Sequence, residues 1–207
     1  MNDQSQKNRR LYRMTERAKT QDETRARIIA ATMQLHDEKG VTATSFVDVA
    51  KRAGIGAATV YRHFPNMGSL VTACGTHVWE EMAPPTPDQA EELFSGLDRR
   101  EDRLKRLVDE VYDFYARGSL RLGKAYADRE HFPELDQFLL AVETGIQALV
   151  RKAVTPAVTS QTTLELVYAL TDFAVWTSMQ RVSGDEAARR HHLARLIGCA
   201  LTEPPHP

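Results

Sequence analysis

Two short helical segments separated by only Gly54-Ile55-Gly56 constrain this chain more than any other feature of its sequence. Upstream of them, apolar residues spaced three and four apart predict one face of a longer helix that ends near Glu38. Gly40 is suited to the left-handed residue that terminates such a helix. A last helix resumes over 57–63, directly after the glycines. Two helices joined by so short a turn are typical of a helix-turn-helix, whose second helix can enter a DNA major groove.

The residues around this turn match a known pattern. LHDEKGVTATSFVDVAKRAGIGAATVYRHFPNMGSL resembles the N-terminal domain of tetracycline-repressor-type (TetR family) transcriptional regulators. The shared elements are Gly-Val-Thr-x-Thr, Val-Ala-x-x-Ala-Gly-Ile before the turn, and Thr-Val-Tyr-Arg-His-Phe-Pro before an amphipathic fourth helix. The resemblance covers about residues 24–80. It implies an all-α fold: an N-terminal three-helix helix-turn-helix DNA-binding domain, followed by an all-helical ligand-binding and dimerisation domain.

The order of segments along the chain predicts four parts. Residues 1–23 form a basic flexible arm, 24–65 the helix-turn-helix domain, 66–83 a linking helix, and 84–207 the helical ligand-binding and dimerisation domain. Prolines just after the linking helix mark the last boundary, because proline cannot continue a helix interior. The arm has few apolar residues, so it is either a DNA contact that becomes helical on binding or a solubilising tail.

Charge is distributed unevenly between the two halves of the chain. Residues 1–64 contain twelve Lys or Arg and seven Asp or Glu, whereas the remaining residues contain fifteen and twenty-one. A net charge of −1 therefore conceals a basic N-terminal region and an acidic remainder. Because phosphate contacts supply most non-specific DNA affinity, this asymmetry agrees with DNA binding by the N-terminal region.

The resemblance implies a set of DNA contacts centred on the recognition helix. Tyr61 and His63 match positions that contact phosphate or a base edge, and Arg62 can bind guanine bidentately or pair with phosphate. Lys51 and Arg52 face either DNA or water. Val60 and Phe64 are expected in the core, so they are not counted as contacts. The expected DNA-binding residues are Thr44, Lys51, Arg52, Ala57, Ala58, Thr59, Tyr61, Arg62 and His63.

Two positions depart from the family pattern. Gly56 stands where a serine often caps the recognition helix, and Met67 stands where a lysine often holds the DNA backbone. Without that serine and lysine, the protein loses about one or two contacts with the DNA backbone. Each such contact contributes roughly one unit to the slope of log affinity against log salt concentration.

The resemblance also implies that the second half of the chain dimerises. One recognition helix reads too few bases, and a two-fold dimer matches a palindromic operator on double-stranded DNA. The last two helices, about 160–202, carry the apolar stripes expected of a homodimer interface. The alternative is that these stripes only fill the core of one protomer.

A small-molecule effector is the remaining partner implied by the resemblance, and the sequence does not identify it. Aromatic residues and two carboxylates within apolar stretches are the candidates for its site. Each carboxylate needs a partner, a ligand cation or solvent, and the combination suits a bulky apolar ligand, cationic if the carboxylates face it. The candidate ligand-binding residues are Trp79, Tyr112, Tyr115, Phe138, Glu143, Asp172 and Trp176.

Other functional classes lack support in the sequence. It contains no glycine-rich phosphate loop, nucleophile elbow or spaced Cys/His cluster, so we expect no enzyme activity, cofactor or metal site. No apolar run is long enough for a membrane span. Cys74 and Cys199 are expected to be buried packing residues in a cytoplasmic protein, with redox sensing as the alternative. The rival interpretation is a DNA-binding or protein-interaction module without a ligand. The sequence does not distinguish a repressor from an activator.

Overall fold

Every regular element in the described residues, 3–155 and 160–202 of this computed structural model, is helical. The predicted all-α fold is thereby confirmed. A short 3-10 helix (Arg129–His131) lies between the sixth and seventh helices. The α-helices are α1 (Asp3–Lys39), α2 (Phe46–Ala53), α3 (Ala57–His63), α4 (Met67–Met82), α5 (Pro87–Leu93), α6 (Arg100–Asp128), α7 (Pro133–Val154), α8 (Gln161–Leu170), α9 (Phe173–Met179) and α10 (Glu186–Ala200).

Helix α1 begins far earlier than the sequence predicted. The expected flexible arm, as far as it is described, is continuous with the rest of the helix, and its side chains from Tyr12 to Glu23 are exposed. Residues 3–39 contain neither glycine nor proline and are rich in Arg, Lys, Gln and Glu, which favour helix. The lack of apolar periodicity over residues 12–23 therefore indicates that this part of α1 is helical but has no buried face.

Specific caps set the bounds of α2. Ser45 accepts a hydrogen bond from the Asp48 amide at 3.2 Å, and the Asp48 carboxylate accepts one from the Ser45 amide at 3.1 Å. This capping box satisfies amides that the first helical turn leaves free. Gly54 ends the helix at φ 65°, a left-handed conformation that glycine adopts without strain. Gly56 is the N-cap of α3 and provides no side-chain hydrogen bond, as expected for glycine at this position.

The first of two compact units combines Met1–Val78 with Gly123–Leu135. Its main core contains Ile28, Val49, Val60, Phe64 and Leu70, each at most 1% exposed. The sequence prediction placed all of 84–207 in one domain, whereas here the end of α6 and the start of α7 belong with the N-terminal helices. The two segments are 45 positions apart along the chain, between Val78 and Gly123, and this separation hid the association.

The second unit combines Trp79–Leu122 with Asp136–Pro207. Gly145 of α7 lies so close to the chain before α5 that a Cβ there would be 1.8 Å from the Pro85 carbonyl oxygen. Arg190 of α10 pairs with two carboxylates of α6, Asp109 at 3.3 Å and Asp113 at 2.5 Å. Helices α4, α6 and α7 contribute residues to both units.

The range of about 160–202, predicted to form two helices, forms three. Helix α8 ends at Leu170, and Asp172 caps α9 by accepting a hydrogen bond from the Ala174 amide at 2.7 Å. A side chain that can cap a new helix competes with continuation of the old one. Residues 1–2 of the predicted arm, and 156–159 and 203–207 of the predicted second domain, lie outside the described residues. Among those described, no helix has the length and apolar character needed to cross a bilayer.

Candidate nucleic-acid interface

Helix α3 is anchored on one face and open on the other. Val60 is fully buried and Phe64 is 1% exposed, so both belong to the core of the first unit, as predicted. Ala58, Tyr61 and Arg62 are exposed on the remaining surface. The seven-residue helix therefore presents a methyl group, a phenol and a guanidinium outward, which are groups that can contact bases or phosphates.

The other predicted residues of α3 are half-buried, and those of α2 differ from one another. Ala57, Thr59 and His63 lie at the margins of the exposed face of α3. On α2, Lys51 and Arg52 are both exposed, and Arg52 also donates to both carboxylate oxygens of Glu38, at 2.8 and 2.7 Å. This bidentate pairing with Glu38 occupies the guanidinium of Arg52.

Thr44 does not lie on the exposed surface. It is only 6% exposed, and its hydroxyl donates to the Gly40 carbonyl at 2.7 Å. A phosphate oxygen needs a donor, and the one hydroxyl proton of Thr44 is already used. Its geometry therefore favours a structural role in the turn before α2, in place of the expected contact with DNA.

Tyr61 is held by a residue that the sequence interpretation did not select. The rings of Phe46 and Tyr61 meet edge to face with centroids 4.6 Å apart. Phe46 is 7% exposed, whereas Tyr61 is 56% exposed. The buried ring of α2 thus restricts the orientation of the exposed ring of α3. An aromatic residue directly after an N-cap is a weak sequence signal, because the contact depends on the angle between the two helices.

Arg25 is a second residue that sequence reasoning missed. Its guanidinium carbon lies 4.5 Å from the centroid of the Phe64 ring, so α1 places an exposed positive charge at the end of α3. A guanidinium over an aromatic ring is held in position without losing its charge. Arg25 therefore adds to the positive charge available beside the recognition helix.

A salt bridge joins α1 and α2 on the same unit. Lys39 Nζ lies 2.8 Å from the Asp48 carboxylate. Hydrogen bonds from Lys39 and Ser45 hold the pKa of Asp48 well below its ordinary value. Asp48 thus keeps its charge at all ordinary pH values and serves both the helix cap and the salt bridge.

In the second unit, the predicted ligand-binding aromatics fall into two groups. Tyr112, Tyr115 and Trp176 form one cluster: the Trp176 centroid lies 6.3 Å from that of Tyr112 and 5.9 Å from that of Tyr115. Trp79 and Phe138 meet edge to face at 5.7 Å. Two clefts in this unit, of about 650 and 450 Å³, are lined by other residues.

The aromatic cluster contains buried hydrogen-bond donors that lack acceptors. Among the described residues, neither the Tyr112 hydroxyl nor Trp176 Nε1 has a hydrogen-bond partner. The neighbouring Tyr115 hydroxyl, by contrast, donates to the Thr171 carbonyl at 3.0 Å. Burial raises the pKa of Tyr112, although Arg189 and Arg190 oppose it. An unpaired buried donor is costly, so an acceptor at this place would stabilise the protein.

The two predicted carboxylates do not form an evident cation site. Asp172 is half-buried and caps α9, and Glu143 is also half-buried and has interactions of its own. Within the described ranges, no three His, Cys, Asp or Glu side chains are arranged to hold a metal ion.

The two cysteines differ in their surroundings. Cys74 is buried, and burial raises the pKa of its thiol to about 12. Cys199 is exposed, so the prediction that both are buried is wrong for Cys199. Cys199 lines the larger cleft, as Leu104 of α6 does.

Comparison with known proteins agrees with the fold and the helix-turn-helix. A family model described as bacterial regulatory proteins, tetR family, matches residues 28–74. No curated protein matches the chain.

Solved structures resemble nearly the whole chain. NalD, the secondary repressor of the MexAB-OprM multidrug efflux pump in Pseudomonas aeruginosa, is 22% identical, with a TM-score of 0.63 over 88% of this chain and 97% of that chain. The multidrug binding protein EbrR, complexed with imidazole, is 18% identical with a TM-score of 0.59, over 89% and 93%. A TetR family member from Streptomyces coelicolor A3 is 23% identical with a TM-score of 0.59, over 84% and 98%. Residues 28–74 therefore match the helix-turn-helix of the tetR family of bacterial regulatory proteins, and the chain as a whole has the fold of TetR-type transcriptional regulators.

Proposed function

We propose that the chain is a homodimeric repressor that binds a palindromic operator in the cytoplasm and leaves it when a small molecule binds the second unit. The outward face of α3 carries this proposal, because Ala58, Tyr61 and Arg62 are exposed on a helix whose opposite face is anchored in the core by Val60. Arg62 reads a base edge or pairs with a phosphate, and Tyr61 donates its hydroxyl to a phosphate.

Residues around this face complete the proposed contact set. Ala57, Thr59 and His63 flank the exposed face of α3, and Lys51 is exposed on α2. Arg25 joins them because it places charge at the end of α3. Thr44 and Arg52 are left out, since their polar groups bind Gly40 and Glu38.

The partner in dimerisation is a second copy of this chain, bound through α8 and α10. These helices pack on each other, and each leaves a leucine 49% exposed, Leu166 on α8 and Leu196 on α10. Other members of the predicted interface, Val167 and Ile197, are fully buried within the protomer. The exposed leucines support an interface, because burying them against a partner removes apolar surface from water.

The effector is proposed to bind at the cluster of Tyr112, Tyr115 and Trp176. Its aromatic rings supply apolar surface, and the unpaired donors of Tyr112 and Trp176 favour a ligand with a carbonyl or carboxylate acceptor. The carboxylates give a cationic ligand less support, since Asp172 is engaged as a helix cap.

Release follows if the effector binds better to a conformation in which the recognition helices no longer fit successive major grooves. Helix α4 is the proposed connection, because its residues belong to both units. The coupling required is modest, about 1–3 kcal/mol.

The decisive experiment is selection of binding sites from genomic DNA with the full chain, alongside its mass in solution in the same buffer. An enriched palindrome and a dimeric mass are expected, and genes beside the site nominate effectors for a competition assay. Raised transcription from that site on protein binding would replace repression with activation.

Three results would contradict parts of the proposal. Binding that depends on salt but not on sequence would remove the operator, and a monomer would remove the dimer. Operator binding that no effector weakens would favour the alternative, a DNA-binding or protein-interaction module without a ligand.

A further inference from the structure

The turn between α1 and α2 is held by a residue at the far end of α6. The Asp128 carboxylate oxygen Oδ2 accepts hydrogen bonds from two successive backbone amides, Val41 at 2.6 Å and Thr42 at 3.1 Å. Asp128 is the last residue of α6, and it lies in the first unit together with the turn. A carboxylate that accepts two amide hydrogen bonds forms a strong, charge-assisted contact.

Gly40 allows this close approach. Its φ is +86°, a conformation that side-chain-bearing residues rarely adopt. A Cβ at this position would also lie 2.8 Å from Asp128 Oδ2. Backbone conformation and space therefore both require glycine where the carboxylate meets the turn.

Neighbours of Asp128 hold the same turn from the same side. Lys124 donates to the Glu38 carbonyl at 3.3 Å, at the last turn of α1. Val41 packs in a small core whose members on this side are Ala125, Phe132 and Leu135. The contact of Asp128 is thus part of a packed junction.

The conformation of residues 40–44 determines where α2 begins. Thr44 donates from its side chain to the Gly40 carbonyl at 2.7 Å and from its amide to the Val41 carbonyl at 3.0 Å. Ser45, the next residue, is the N-cap of α2. The first residue of α2 is Phe46, whose ring restrains Tyr61 on the recognition helix.

We infer that Asp128 is a positioning residue for DNA binding, which holds the turn before α2 so that α2 and Tyr61 take the orientation that fits the operator. The inference rests on the proposed operator binding. It assigns a role to a residue 65 positions beyond the end of the helix-turn-helix at His63, at the point where α6 reaches the first unit.

The test compares three full-length variants on one duplex that contains the selected palindrome. Asp128→Asn removes one negative charge and weakens the acceptor, whereas Glu130→Gln removes one negative charge from an exposed side chain two residues later. Asp128→Glu keeps the charge and displaces the carboxylate by one methylene, so it separates position from charge.

We expect Asp128→Asn to bind the operator about tenfold more weakly than Glu130→Gln at equal salt, and Asp128→Glu to be weakened as well. The slope of affinity against salt should be unchanged, because Asp128 touches no phosphate. Hydrogen exchange of the Val41 and Thr42 amides should accelerate in both Asp128 variants and not in Glu130→Gln.

The outcomes distinguish this inference from the function on which it rests. Equal operator affinity of Asp128→Asn and Glu130→Gln, with faster exchange or lower thermal stability only, would reduce Asp128 to a structural residue and overturn the inference. A wild-type protein without preference for any palindrome would overturn the proposed function too. If Asp128→Asn does not fold, Asp128→Glu decides: wild-type affinity in that variant also overturns the inference.

Discussion

The ring of Phe46, buried at the start of α2, meets the exposed ring of Tyr61 on α3 edge to face at 4.6 Å. The two residues lie on the two helices of the helix-turn-helix. Because of this contact, the position of the Tyr61 hydroxyl depends on the angle between the two helices. Replacing either ring therefore tests how far the DNA contact depends on the geometry inside the motif.

Phe46→Leu should lower operator affinity while retaining the fold. The substitution keeps an apolar side chain, so its stability cost should be about 1–2 kcal/mol, whereas the restraint on Tyr61 is lost. We expect about three- to tenfold weaker binding in fluorescence anisotropy. The neighbouring Val47→Ala, at a side chain 69% exposed, is the control for changes in α2. Unchanged affinity in Phe46→Leu would show that Tyr61 needs no such restraint.

Arg62→Ala should weaken operator binding without affecting stability. If Arg62 reads a guanine, the loss is about 2 kcal/mol, roughly 30-fold, and the preference at one base position relaxes. If it pairs with phosphate, binding weakens on all sequences and the salt slope falls by about one. Repeating the site selection with the variant separates these cases. Wild-type binding in both assays would place Arg62 outside the interface.

Leu196→Glu should convert the dimer into a monomer. A carboxylate within an apolar interface is costly to desolvate, and operator affinity should fall at least about tenfold as the second recognition helix is lost. Leu140→Glu on α7 is the matched control, because Leu140 is 48% exposed and lies outside α8 and α10. Light scattering gives the mass of each variant. A monomeric Leu140→Glu with a dimeric Leu196→Glu would move the interface to α7.

His36 should make the stability of the protein depend on pH. Burial lowers the pKa of His36 from 6.5 to about 4, against the opposing effect of Asp37 and Asp128. Between these values the unfolded chain binds a proton that the folded chain does not. Stability is therefore fully present above pH 6.5 and falls as the pH drops towards 4, by at most about 3 kcal/mol.

Denaturant unfolding at pH 7.5 and pH 5 measures this loss. His36→Gln should lose less stability between the two pH values than the wild type. His77→Gln, at an exposed histidine, should lose as much as the wild type. Equal pH dependence in all three proteins would assign the effect to other groups.

Tyr112→Phe and Tyr115→Phe should change stability in opposite directions. The Tyr112 hydroxyl is buried and has no acceptor in the described part of the chain, so its removal should stabilise the ligand-free protein by about 1 kcal/mol. Removal of the Tyr115 hydroxyl deletes its hydrogen bond to Thr171 and should destabilise by a similar amount, about 1 kcal/mol. Thermal melting compares them. If Tyr112→Phe is also destabilised, the hydroxyl already has an acceptor, such as a bound water.

The contacts within the helix-turn-helix show why some of its residues were predictable and others were not. Val60 and Phe64 were predicted to be core residues because helical periodicity alone fixes which side chains share a face, and both are buried. The same periodicity cannot reveal that Thr44 turns its hydroxyl inward to Gly40, or that Arg52 is bound by Glu38. Those pairings depend on how neighbouring helices cross.

The sequence by itself determined the all-α class, the core face of α3 and the break at Gly54–Gly56, because these depend on local propensity and on spacing along one chain. Only the tertiary structure decided that Asp128 meets Val41, that Phe46 restrains Tyr61, and that Tyr112 finds no acceptor among the described residues. Each of these is a relation between elements separated by a turn or by many residues. Hydrogen bonds and ring contacts act over a few ångströms, so they are defined only when packing has fixed the positions of both partners.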